Sequence, residues 1–247
     1  MPSSSKKLAA GIGASAGAAA LAHFVPAASC LRRTRTRLLP ALAGVGDPNH
    51  LALTFDDGPD PVSTPAFLDA LDGLGWKATF FMLGSMARKA PGLAREVAQR
   101  GHEVAVHGYE HSAHLRRGPL WVGRDMVAAR DTIADLTGKE PVWFRPPYGI
   151  LTASTLRSAR RAGLATVLWT TWGRDWRARA TPGTVEHDVK ATMAPGATVL
   201  LHDSDCTSAP GSWHNALGAL PALAELWASA SLEVGPLSEH GVGLGPH

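Results

Sequence analysis

From Asn49 onward, short apolar runs alternate with amphipathic stretches, and this alternation restricts the fold more than any other feature of the 247-residue chain. The apolar runs Leu51–Phe55, Ala78–Leu83, Glu103–Val106, Val142–Arg145, Thr166–Thr170, Thr198–Leu201 and Leu232–Val234 read as strands. They are rich in Val, Phe, Leu and Thr and too short for helices. Between them Thr64–Leu74, Met86–Arg100, Val122–Thr137, Ala153–Ala162, Thr184–Met193 and Asn215–Ala228 read as helices. Gly75, Gly101, Gly138 and Gly163 punctuate helix ends, and Thr64-Pro65 and Thr152 mark starts. Strand–helix alternation of this kind builds parallel strands joined by right-handed crossovers. Six or seven units favour an α/β barrel over an open doubly wound sheet. No Gly-x-Gly-x-x-Gly follows the first run, so a dinucleotide site is unsupported.

The unusual polar residues fall at one place on this map. Asp56 and Asp57 end the first run, His107 to His111 follow the third and Arg145 to Gly149 the fourth. Asp175-Trp176 come soon after the fifth, and His202-Asp203 end the sixth. These are carboxyl ends of strands, the face on which barrel enzymes build active sites. Two adjacent aspartates are costly unless a cation or partner attends them. A solvated Asp-Gly turn would explain the same letters. A carboxylate with His107 and His111, four apart, makes a two-His, one-carboxylate set that leaves a coordination position open for water. His202 is either a packing residue or, with Asp175 accepting its N–H, a general acid. Arg145 would offset the negative charge or form a surface ion pair. The aromatic stretch Trp169–Trp176 would wall a pocket, stack on sugar rings or pack as core.

Charge narrows the partners. The formal charge is +3, but six of the 24 basic residues lie before position 38, leaving 18 against 21 acidic residues from there on. This balance argues against a nucleic-acid-binding face on the domain, and no protein partner is evident. Leu8 to Leu31 lacks Lys, Arg, Asp and Glu and follows Lys6-Lys7, as in an export signal or anchor. Residues 1–30 are therefore expected as a signal peptide or membrane anchor, 31–48 as a basic linker, 49–240 as the single folded domain and 241–247 as a tail. Secretion or attachment to the cell envelope follows, with a cytoplasmic protein as the alternative. Of the two cysteines, Cys30 and Cys206, only Cys206 lies in the domain.

Thr54-Phe55-Asp56-Asp57-Gly58-Pro59, His107-Gly-Tyr-Glu-His111, Arg145-Pro-Pro-Tyr148-Gly149, Trp172-Gly-Arg-Asp175-Trp176 and Leu200-Leu201-His202 occur in that order. Together they resemble the five motifs of the polysaccharide deacetylases, carbohydrate esterase family 4. The resemblance spans roughly residues 49 to 240. It implies a distorted (β/α)7 barrel, TIM-barrel-like, and hydrolysis of N-acetyl groups on an amino-sugar polymer or oligomer such as peptidoglycan or chitin. It implies that Asp57, His107 and His111 hold a divalent metal, zinc first, with Co2+, Ni2+ or Mn2+ as alternatives. Asp56 would be the base that deprotonates the attacking water, oriented by Arg145. His202 would be the acid, tuned by Asp175. The Tyr148 N–H would hold the oxyanion, and Trp176 and Leu200 would line the acetyl pocket. Two positions depart from the pattern. Gly108 stands where the family carries Ser or Thr, and Trp172 where it carries Asp. These departures motivate a glycan-binding protein with a weakened site as an alternative; hydrolysis of C–N bonds in small non-sugar amides is another.

Overall fold

The computed structural model describes residues 32–243, with His23 and Pro26. The expected signal or anchor otherwise lies outside the described residues, as do positions 244–247 of the tail. Among the described residues no helix is long and apolar enough to cross a membrane.

Eight parallel strands form one curled sheet: β1 (His50–Asp56), β2 (Thr79–Met82), β3 (Glu103–Val106), β4 (Trp143–Phe144), β5 (Ala165–Thr166), β6 (Thr171–Trp172), β7 (Thr198–His202) and β8 (Glu233–Gly235). Their order is β5-β4-β3-β2-β1-β7-β6, with β8 paired to the start of β1. β1 is buried along its whole length, as a central parallel strand covered on both faces must be. Alternate side chains serve opposite faces. Leu51, Leu53 and Phe55 join Phe67, Phe80, Leu201 and Trp227 in the large cluster under the helices. A smaller cluster of Ala52, Phe81, Ala105, Trp143 and Val167 forms separately from it. This is the α/β barrel architecture expected, left incomplete because no ladder joins β5 to β6.

The helices α3 (Thr64–Leu74), α4 (Gly84–Lys89), α5 (Pro91–Gln99), α6 (Pro119–Thr137), α7 (Ala153–Arg161), α8 (Pro182–Thr192) and α9 (Trp213–Ser229) connect the strands. Capping boxes at Thr152–Thr155 and Thr181–Thr184 start α7 and α8.

Three local readings need correction. The helix expected over 86–100 is two, α4 and α5, because a proline excludes the α region for the residue before it. Ala90 accordingly sits at φ −128° and ψ 62°. The strand expected over 142–145 is only Trp143–Phe144. The strand expected over 166–170 is instead the end of β5 and a crossing to β6, which lie at opposite edges of the sheet. The crossing residues satisfy their backbone elsewhere: Leu168 N–H donates to Leu42, and Thr170 N–H to Thr198.

The stretch 31–48, expected as a linker, holds two short helices, α1 (Arg32–Leu38) and α2 (Pro40–Ala43). They lie along the open seam. Arg32 donates to the carbonyls of Thr170 and Thr192, and Arg35 to that of Trp169. Thr198 Oγ1 donates to Gly44 O at 2.6 Å. Val242, expected in a tail, packs in the smaller cluster.

Candidate active site

β1 ends on the aspartate pair. In a regular strand adjacent side chains point to opposite faces, yet both carboxylates line one cavity. The reason is local. Asp57 adopts φ 82°, a left-handed conformation that aspartate tolerates better than most residues. The chain turns there, and the second carboxylate swings to the same side as the first. Thr207, in the loop after β7, donates to Asp57 Oδ2 at 2.6 Å.

That hydrogen bond leaves Asp57 Oδ1 buried and without a partner. It faces His107 Nε2 at 3.4 Å and His111 Nε2 at 3.4 Å. His107 Nδ1 lies 2.9 Å from Arg145 O. A carbonyl only accepts, so Nδ1 carries the proton and Nε2 presents its lone pair to Asp57. Burial pushes the His107 pKa down to about 3 and lowers that of His111, against the pull of Asp57. Both rings are therefore neutral at pH 7, as metal ligands must be. The three ligand atoms lie within 4.8 Å of one another. An orphaned carboxylate oxygen opposite two neutral imidazoles costs free energy in an apolar setting, and a divalent cation would remove that cost. The donor set fits such an ion.

Asp56 turns its other side to Arg145, whose Nη1 donates to Asp56 Oδ1 at 2.7 Å and to Thr54 Oγ1 at 2.8 Å. Nη2 donates to Leu168 O at 2.9 Å, and the guanidinium lies 4.0 Å from the centroid of the Phe81 ring. Arg145 is fully buried and fixed on several sides. Burial raises the Asp56 pKa, while Arg145 and then His202 pull it back.

Across the cavity His202 Nδ1 meets Asp175 Oδ1 at 3.0 Å, and the His202 main-chain N–H donates to Asp175 Oδ2 at 2.7 Å. Burial alone would lower the His202 pKa. Asp175, by charge and hydrogen bond, and then Asp57 and Asp56 outweigh it and push it up to about 10. The imidazolium is the form present at neutral pH, with Nε2 carrying a proton.

Asp56, Asp57, His107, His111 and His202 share a cavity of about 270 Å3 with Tyr148, Leu200 and three tryptophans, Trp169, Trp172 and Trp176. Tyr148 packs edge-on to His111 with centroids 4.4 Å apart, and Trp176 does the same to His202 at 5.5 Å. Arg145 and Asp175 stand behind this lining, each bonded to a lining residue. Every site residue expected from the sequence is thus in or directly behind one cavity. Trp172 and Trp176 form one aromatic wall, centroids 5.6 Å apart. Thr207 was not legible: a lone threonine 150 positions from its aspartate carries no local signal.

Fold and cavity together define a barrel protein whose strand ends hold a candidate metal centre between a paired aspartate and a paired histidine. The chain belongs to the polysaccharide deacetylase family, whose model matches residues 43–167. It is 41% identical over 154 residues to a chitooligosaccharide deacetylase of Bradyrhizobium sp., covering 61% of this chain and 69% of that one. It is 37% identical over 160 residues to a peptidoglycan-N-acetylglucosamine deacetylase of Listeria monocytogenes, covering 65% of this chain. The match spans only about a third, 34%, of the Listeria protein's length. A family 4 carbohydrate esterase from Streptomyces lividans, solved with acetate, superposes with a TM-score of 0.68 at 31% identity, over 76% of this chain and 92% of that one.

Proposed function

We propose that the protein is a metal-dependent hydrolase that removes N-acetyl groups from an amino-sugar glycan, with peptidoglycan and chitin-like oligomers as the candidate substrates. The observation that carries this reading is the unpartnered Asp57 Oδ1 facing two neutral imidazoles, flanked by a carboxylate on one side and an imidazolium on the other. The named activities of the Bradyrhizobium and Listeria relatives support the substrate class.

Amide hydrolysis at neutral pH needs an activated water, a stabilised oxyanion and a protonated leaving nitrogen. A divalent ion, zinc first, held by Asp57, His107 and His111, supplies Lewis acidity and lowers the pKa of water. Asp56 takes the proton from the attacking water at Oδ2, because Arg145 holds Oδ1. The Tyr148 main-chain N–H donates to the oxyanion, as preorganised amides do in acyl transfer. His202 Nε2 gives its proton to the departing amine. Asp56 and His202 have environments that separate their proton affinities, the condition for one site to hold both a base and an acid. Trp176 and Leu200 close around the acetyl methyl. Acetate and a free amine leave.

Residues 1–30, on this reading, export the chain or anchor it, which brings the site to a cell-wall glycan. Mass determination of the protein recovered from cell fractions tests that. The activity is tested by acetate release from peptidoglycan fragments and chitooligosaccharides, with chelation and a panel of Zn2+, Co2+, Ni2+ and Mn2+. Release should stop on chelation and return with metal. Undiminished release from an Asp56→Ala variant would sink the mechanism.

A further inference from the structure

We propose that Asp125, on α6, is a positioning residue for the loop that carries His107 and His111. The inference rests on the metal reading above. The loop leaves β3 and must bring two imidazoles to one point within five residues. Its second residue is Gly108, at φ 94°, a conformation that side chains resist. Glycine offers no side chain to brace the turn from within. The bracing comes from outside. Asp125 Oδ2 accepts the Tyr109 N–H at 2.9 Å, and Oδ1 accepts the Glu110 N–H at 3.1 Å. Each carboxylate oxygen takes one of two consecutive amides, Tyr109 and Glu110, among the three between the histidines.

The carboxylate is buried and occupies the space a side chain at 108 would claim. A Cβ built on Gly108 lies 3.0 Å from Asp125 Oδ2 and 3.2 Å from Glu110 O. The opposite edge of the loop is held by the start of α4, where the N–H groups of Gly84 and Ser85 donate to the carbonyls of Gly108 and Tyr109, each at 3.0 Å. Asp125 and α4 thus grip the loop from two sides. Gly108 and Asp125 form a matched pair: the glycine leaves room, and the aspartate uses it. A hydroxyl placed at 108 would therefore disturb the loop instead of strengthening it.

The test measures zinc affinity by competition with a chromophoric chelator, together with amide hydrogen exchange at Tyr109 and Glu110 in metal-free protein. Asp57→Ala is the control for the metal reading. Asp125→Ala should bind zinc about 10–100-fold more weakly, the usual effect of losing a group that orients metal ligands. Exchange at the two amides should speed up roughly 10-fold, as expected for one lost hydrogen bond each. Gly108→Ser should also weaken zinc binding. Zinc affinity in Asp125→Ala equal to wild type, or exchange unchanged at both amides, overturns the proposal. So does tighter zinc binding by Gly108→Ser. Should the alanine variant fail to fold, Asp125→Asn, which can still accept one of the two amides, should show an intermediate loss; wild-type affinity there overturns the proposal equally. Wild-type protein that binds zinc no better than Asp57→Ala overturns the metal reading instead, and the exchange rates then judge the bracing alone.

Discussion

Asp175→Asn isolates the proposed acid. Asparagine keeps the size of the side chain but removes its charge, and it replaces one acceptor oxygen with an NH2 donor. Asp175 now accepts from both His202 Nδ1 and the His202 main-chain N–H, so the variant must lose one of these bonds whichever way the amide turns. A hydrogen bond to a charged group contributes about 1.5–3 kcal/mol, and one pKa unit corresponds to about 1.36 kcal/mol. The His202 pKa should fall by about 1–2 units from its value near 10. The acid is active when protonated, so activity is lost as pH rises through that pKa. The alkaline limb of kcat/KM for acetate release should move down by the same amount. His202 should be followed in parallel by NMR at the same metal loading. At pH 7 the ring stays protonated in both proteins, so a fall in kcat there reports misorientation of the ring. Stability follows the same sign. A raised histidine pKa stabilises the fold below about 6.5, and that contribution disappears as pH rises through the folded value. The variant should lose it at lower pH than wild type in urea titrations. A limb that stays in place while His202 demonstrably titrates lower would refute the assignment of His202 as the acid.

Arg145→Met should leave the buried Asp56 carboxylate without its cation, and chemical denaturation should read a loss of about 3–5 kcal/mol. Thr207→Val removes the donor to the buried Asp57 Oδ2; zinc affinity should fall by about 10–100-fold, and chemical denaturation of metal-free protein should read a loss of about 1–3 kcal/mol. Asp56→Asn should lower kcat for acetate release by about 10²–10⁴ and leave zinc affinity within a few-fold of wild type, read by chelator competition. Loss of zinc binding in that variant would place Asp56 among the ligands instead.

The polar strand ends were legible because each sits where an apolar run stops. β1, β3 and β7 read correctly for that reason: their Val, Leu and Phe runs end on Asp56, His107 and His202. The run from Val167 to Thr170 misled because it is apolar and of strand length, yet its backbone bonds to Leu42 and Thr198 and to three arginine side chains, Arg32, Arg35 and Arg145. Apolar composition reports burial, and a buried crossing looks like a buried strand. The break before Pro91 was in principle readable from the proline. Thr207 was not, since an isolated threonine gains its meaning only from a partner 150 residues away. The adjacency of Asp56 and Asp57 was legible as an oddity, but its resolution depends on a backbone angle that no residue pattern states.

The open seam has a consequence for how the chain reaches its final state. The groups that close it are Arg32, Arg35, Leu42 and Gly44 on one side and Leu168, Trp169, Thr170, Thr192 and Thr198 on the other. These partners are separated by 126 to 160 positions. On a ribosome the first group emerges long before the second exists. Contacts so distant in sequence slow folding. The earliest residues of the domain thus wait for partners made 126 to 160 positions later, and the bond between Gly44 and Thr198 cannot form until residue 198 has been made.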